Sequence, residues 1–206
     1  TEVNNMEDLI TKKPDVILYN PVESDAAGAA LSLANDAGIP VITVDRTANG
    51  GEVVSNVASD NVYGGELAGE YIKELLGEAG GELLEIQGVA GTSAARDRGE
   101  GFHKAVDGVA NYTVVDSQIG NWDKAQGMTI MENALQAHPD IKAVFAHNDT
   151  MAMGAMEAAY AAGREDIIII GFDADDDAVQ AVKDGKLAAT VAQQPDLMGG
   201  RGVELA

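Results

Sequence analysis

Residues 142–173 read KAVFAHNDTMAMGAMEAAYAAGREDIIIIGFD. An apolar run, AVFA, ends in His147-Asn148-Asp149, and an Ala- and Met-rich stretch with helical character follows over 149–162. A second apolar run, IIII, then ends in Gly171-Phe172-Asp173. Strand, helix and strand in that order make a crossover unit whose two strands lie parallel in one sheet. The same alternation extends in both directions. Further strands are expected at 16–19, 40–44, 53–57, 82–87, 112–117 and 187–192. Helices are expected at 24–37, 61–79, 93–108, 123–137 and 176–183, with an opening helix that stops before Pro14 and a closing one after Pro195. Such a chain is α/β, with mostly parallel sheets flanked by helices.

In an open α/β sheet, ligands bind outside the carboxyl ends of the strands. Five apolar runs here end in groups able to grip a hydroxyl: Asn20, the pair Asp45 and Arg46, the pair Asn148 and Asp149, Asp173, and Gln193. No cysteine occurs, and no Ser-His pair or metal-ligand spacing accompanies these strand ends. The set reads as a binder of something polar and uncharged. An Asp beside an Arg suits a neutral sugar, because each hydroxyl both donates and accepts and the guanidinium fork holds two oxygens in register; the alternative is a turn-capping Asp45 beside a surface Arg46.

The segment GTSAARDRGEGFHKA (91–105) adds Arg98. Ser93 is placed to cap the helix, and Arg96 and Arg98 lie on its first turns, where cations oppose the helix dipole. A ligand oxygen or a carboxylate such as Asp45 or Asp173 would offset that cost; the alternative for Arg98 is a purely structural salt bridge. Trp122, the single tryptophan, stands in the polar stretch IGNWDKAQG. Its face can stack on the C–H face of a sugar ring, or it packs at a rim. DADDDAVQAVKDG (173–185) resembles a calcium loop only superficially, with Ala178 and Asp184 where that loop needs Gly and Glu. Asp175, Asp176 and Asp177 read instead as the acidic start of a helix. No metal and no other cofactor is expected.

Acidic residues number 34 and basic ones 13, a formal net charge of -21. That balance excludes nucleic acid as a partner, since its binders need Lys/Arg patches. It fits a protein of a salty habitat, or simply an acidic surface. The start TEVNNMEDLI has no basic region followed by an apolar stretch, so no signal peptide is visible. The first helix lacks a preceding strand and the last lacks a following one, so both ends are expected to be missing from the sequence.

ILYNPVESDAAG, IPVITVDR, ASDN, GTSAARDRGEGF, FAHNDTMAMGA, IIGFDA and DGKLAATVAQQPD resemble, in order, the ribose-like branch of the type I periplasmic sugar-binding proteins of ABC transporters. The resemblance covers essentially the whole chain. It implies two α/β lobes joined by crossing hinge strands, with a monosaccharide, most readily D-ribose, bound in the cleft by hinge closure and no catalysis. By this resemblance residues 1–59 with 194–206 form an incomplete first lobe and 60–193 the second. The implied sugar contacts are Asn20, Asp45 and Arg46 from the first, and Arg98, Asn148, Asp173 and, at the hinge, Gln193 from the second. Trp122 stands where the family places a stacking Phe, a departure that admits a hexose such as allose. The resemblance further implies a monomer outside the cytoplasm, in the periplasm or on a lipid anchor, working with a membrane permease. The family's opening strand–helix–strand is absent, so the bare chain is expected to bind sugar weakly or not at all.

Two other readings compete. The effector-binding core of a LacI-type transcription regulator shares the fold, but the charge and the TSAARDRGEGF motif argue against it. An enzyme would need a base, a nucleophile or a phosphate loop with supporting neighbours, and none is present.

Overall fold

The computed structural model describes residues 1–206. Helices and strands alternate except where β3 follows β2 directly: α1 (Glu2–Thr11), β1 (Ile17–Tyr19), α2 (Gly28–Asp36), β2 (Val41–Val44), β3 (Ser55–Val57) and α3 (Asn61–Leu76). They continue with β4 (Gly81–Gln87), α4 (Ser93–Val106), β5 (Tyr112–Ile119), α5 (Lys124–Ala137), β6 (Ile141–Ala146) and α6 (Asp149–Ala161). The chain closes with β7 (Ile168–Asp173), α7 (Asp176–Lys183), β8 (Ala189–Ala192) and α8 (Pro195–Leu205). Every strand pairing is parallel, as the crossover reading of 142–173 requires. No helix is long and apolar enough to cross a membrane.

The chain divides into two compact units. One comprises Thr1–Asp60, Gly91–Arg96 and Gln194–Ala206; the other comprises Asn61–Ala90 and Asp97–Gln193. The first holds a sheet in the order β1-β2-β3, the second a sheet in the order β5-β4-β6-β7-β8. Residues 91–96 go with the first unit through hydrogen bonds: Asp25 N–H donates to Gly91 O, Ser93 N–H to Ser24 Oγ, and Thr47 N–H to Ser93 Oγ.

In the second unit, side-chain alternation along the strands builds two apolar layers. Leu84, Ile86, Val144 and Ile169 face α5 and α6 with Met131, Met151 and Ala155. Leu83, Phe145, Ile170 and Phe172 face the other way, against Ile72 of α3 and Phe102 of α4. Met131, Met151 and Met156 are buried in this core, where flexible thioethers fill irregular space. The first unit packs Met6, Leu31 and Ala34 on Ile17 and Val41.

Two expectations shift. The helix expected from residue 24 begins at Gly28, because Ser24 is fully buried and engaged elsewhere: its carbonyl accepts from Asn49 N–H and its hydroxyl from Ser93 N–H. Thr92 rather than Ser93 caps α4, its Oγ1 accepting from Ala95 N–H at 3.3 Å while Ser93 Oγ serves Thr47.

Candidate functional site

In the second unit, α4 carries Arg98 inward, with only 4% of its side chain exposed. Its guanidinium carbon lies over the Phe172 ring, 3.7 Å from the centroid, and 5.6 Å from the centroid of Trp122. Stacked guanidinium–ring contacts of this kind strengthen as water is excluded. Nε donates to Asn61 Oδ1 at 2.9 Å, and Nη1 donates to the carbonyl of His147. The same Nη1 stands 3.4 Å from Asp173 Oδ1. Asp173, of the two carboxylates expected to offset the cationic helix start, is the one beside it. Gln193 Nε2 donates to Asp173 Oδ1 at 2.6 Å, so Arg98, Asp173 and Gln193 form one cluster with Trp122 and Phe172 beside it.

Asn148 caps α6, its Oδ1 accepting from Met151 N–H at 2.9 Å. That cap uses only the oxygen. Asn148 is tied to the cluster through the neighbouring His147 carbonyl. Trp122 Nε1–H is buried and meets no acceptor. The Trp122 ring lies directly on Gly88, where a Cβ would fall 1.9 Å from its Cη2. Asp175 occupies the cap position of α7 and Asp176 and Asp177 its first turn, the dipole-favoured arrangement read from the sequence. No group of three or more His, Asp or Glu side chains is arranged to hold a metal ion.

In the first unit, Asn20 Nδ2 donates to Asp45 Oδ2 at 3.3 Å, and Arg46 Nε stands 3.7 Å from the same oxygen. The Arg46 Nη1 is committed to the backbone, donating to Pro21 O and Val22 O. Its Nε is buried without a hydrogen bond. The structure therefore brings together Asn20, Asp45 and Arg46 in one unit, and Arg98, Trp122, Asn148, Asp173 and Gln193 in the other.

Backbone strain falls on the same residues. Asp45 (φ 71°), Trp122 (φ 62°) and Asp173 (φ 120°) are held at positive φ, where a side chain costs of order 1–3 kcal/mol and persists only when its surroundings over-determine it.

Sequence reasoning missed three participants. Phe172 reads as ordinary core, Asn61 as a helix start, and Glu85 as the polar side of an alternating strand. Glu85 is in fact fully buried. Its Oε1 lies 3.0 Å from His147 Nε2, while Oε2 accepts from Ser117 Oγ and Gln87 Nε2 and lies 3.3 Å from His103 Nε2. Burial alone would raise this carboxyl; hydrogen bonds, led by His147 and followed by Ser117 and Gln87, pull it down to about 2. Burial pushes His147 down. His103 is raised: burial opposes this, but Asp107 and Glu85 outweigh it. The available signal was one acid inside the apolar run LLEIQ.

These two sets of polar strand ends make up the candidate site of an α/β protein. The whole chain, residues 1–206, matches the family model described as periplasmic binding protein domain. It is 52% identical over 205 residues to the ribose import binding protein of Salmonella typhimurium, an alignment covering 100% of this chain and 69% of that relative. Among solved structures, a solute-binding protein from Bacillus halodurans with bound myo-inositol superposes with a TM-score of 0.93 at 34% identity, covering 100% of this chain and 72% of that one. One from Actinobacillus succinogenes with bound D-allose superposes at 0.90 with 32% identity, covering 98% and 73%. The chain belongs to the periplasmic binding protein family. These relatives are a ribose import binding protein and ABC-transporter solute-binding proteins, that is, transport proteins and not enzymes.

Proposed function

We propose that this chain is the substrate-binding component of an ABC sugar importer and that its ligand is a monosaccharide, D-ribose foremost. The observation that carries the reading is the pairing of charges at the candidate residues. Arg98 stands 3.4 Å from Asp173, and Arg46 stands 3.7 Å from Asp45. Each pair is neutral in sum, so it attracts no ion, yet it presents donors and acceptors side by side. That is what vicinal hydroxyls require.

In this proposal Asp173 accepts from sugar hydroxyls, Arg98 donates to a hydroxyl or the ring oxygen, and Asn148 donates through its amide nitrogen. Gln193 orients Asp173, to which it is hydrogen-bonded. Trp122 lies against the C–H face of the ring. Asn20, Asp45 and Arg46 are proposed as the first unit's contacts, and the two units as the family's two lobes. A membrane permease and a periplasmic location belong to the same proposal. The likeness to the Salmonella ribose protein supports ribose; the larger Trp122 face and the D-allose neighbour support allose as the second sugar to try.

Titration calorimetry of the full-length protein with ribose, allose and galactose tests this. Ribose is expected to bind most tightly and galactose not at all. Arg98→Leu and Asp173→Ala are each expected to weaken ribose binding by about 10- to 100-fold, the worth of a charged hydrogen bond. Equal binding of all three sugars, or unchanged affinity in both variants, overturns it.

A further inference from the structure

Apart from the groups proposed to touch sugar, the second unit contains a buried ionic network for which that role gives no reason. Glu85 sits in the middle of β4, on the sheet face otherwise made of Leu83, Phe145, Ile170 and Phe172. An apolar residue there would extend that layer. A buried carboxylate instead carries a desolvation cost, offset only by its hydrogen bonds.

The network leads to the candidate site by two routes, both through His147. The His147 Nδ1 accepts from Gly88 N–H at 3.4 Å, so in the neutral ring Nε2 carries the proton and donates to Glu85 Oε1 at 3.0 Å. Gly88 is the residue on which the Trp122 ring lies. Meanwhile the His147 carbonyl accepts from Arg98 Nη1. One side chain, held by Glu85, therefore touches the backbone under Trp122, while its own backbone holds Arg98.

We propose that Glu85 and His147 are positioning residues for ligand binding: the carboxylate fixes the His147 ring, and His147 fixes Arg98 and the seat of Trp122. This rests on the sugar-binding reading given above for Arg98 and Trp122. A residue of this kind acts on affinity without touching the ligand.

Trp122 is the only tryptophan, so intrinsic fluorescence reports directly on its seat, with or without sugar. The test compares wild type with Glu85→Gln and Glu85→Leu, each first checked for folding by circular dichroism. Gln retains an oxygen to accept from His147; Leu does not. Glu85→Leu is expected to raise the ribose Kd about 30-fold and to shift Trp122 emission in the sugar-free protein, with Gln restoring most of both. A folded Glu85→Leu protein with wild-type Kd and unmoved emission overturns the proposal. Nitrogen-15 NMR of wild-type His147 needs no variant to fold. A neutral ring protonated at Nε2 supports the proposal, and an Nδ1–H tautomer or a charged ring at neutral pH refutes it. If the full-length wild-type protein binds no ribose, the sugar reading fails by itself. The emission shift and the tautomer then decide whether Glu85 positions Arg98 and Trp122.

Discussion

Asp149 opens α6 one residue beyond Asn148 and is almost wholly buried. Its Oδ2 accepts the Asp175 N–H at 2.8 Å, and its Oδ1 meets no hydrogen-bond partner. Burial pushes the carboxyl from its ordinary 3.8 up to about 6, against the opposing pull of Thr190 and the Asp175 amide. Below about pH 4 the group is protonated whether the chain is folded or not, and contributes no pH dependence. Above about pH 6 the folded chain holds a carboxylate away from water that the unfolded chain would solvate. Stability therefore falls as pH rises between those values, by about 3 kcal/mol for a shift of this size, less what the helix dipole returns. Glu85 works in the opposite sense: held at about 2 against an ordinary 4.5, it stabilises the fold above the ordinary value and loses that contribution on acidification. Asp149→Asn removes one titration and leaves the other. In urea denaturation the stability difference, mutant minus wild type, is expected to grow by about 2–3 kcal/mol from pH 4 to pH 7. A difference independent of pH would show that the Asp149 carboxyl titrates normally.

At the scale of elements, α3 and α4 approach each other backbone to backbone where Arg98 is held. A Cβ on Gly65 of α3 would lie 2.0 Å from the Arg98 carbonyl oxygen, a distance at which the helices must move apart. Gly65→Ala is therefore expected to cost about 1–3 kcal/mol, the usual range for overpacking. It is also expected to weaken ribose binding, because the atoms displaced belong to Arg98 itself. Denaturation and calorimetry on one preparation check both, and a stable variant with unchanged affinity refutes the close packing. Such contacts explain what the sequence made legible. β6, α6 and β7 lie within a residue or two of the expected spans because their apolar spacing is local. The places of Asn148, Asp173 and Gln193 at the ends of β6, β7 and β8 were readable for the same reason. The start of α2 was not readable, because Ser24 is held by Asn49 and by Ser93, 69 positions along the chain. Nor was Glu85: an acid alternating with Leu84 and Ile86 looks solvent-facing until α4 lies over it. Phe172 likewise reads as core, and only the fold reveals a guanidinium on its face.

Over the whole molecule, the net charge of -21 sets up two salt effects of opposite sign. Lys73–Glu70, Lys104–Glu66, Lys124–Glu157 and Arg201–Glu204 are largely surface pairs. Each is worth about 0–1 kcal/mol, and added salt weakens each one. Against them stands the repulsion among an excess of 21 carboxylates, from 34 acidic and 13 basic residues. This opposes the compact state and is relieved by the same salt. The pairs are few and weak, whereas the excess extends over the whole chain, so relief of repulsion dominates. The melting temperature is expected to rise steadily as NaCl goes from about 0.05 M to about 1 M, over which the screening length shrinks from more than 10 Å to about 3 Å. Buried groups respond least. The Arg98–Asp173 contact is shielded by the protein itself, so ribose affinity is expected to change far less than stability over that range. Calorimetric melting at several salt concentrations, beside ribose titrations at the same concentrations, separates the two. A melting temperature that is flat or falls with salt would mean that the excess acid is too dispersed to strain the fold, and that the surface pairs count for more than their geometry implies.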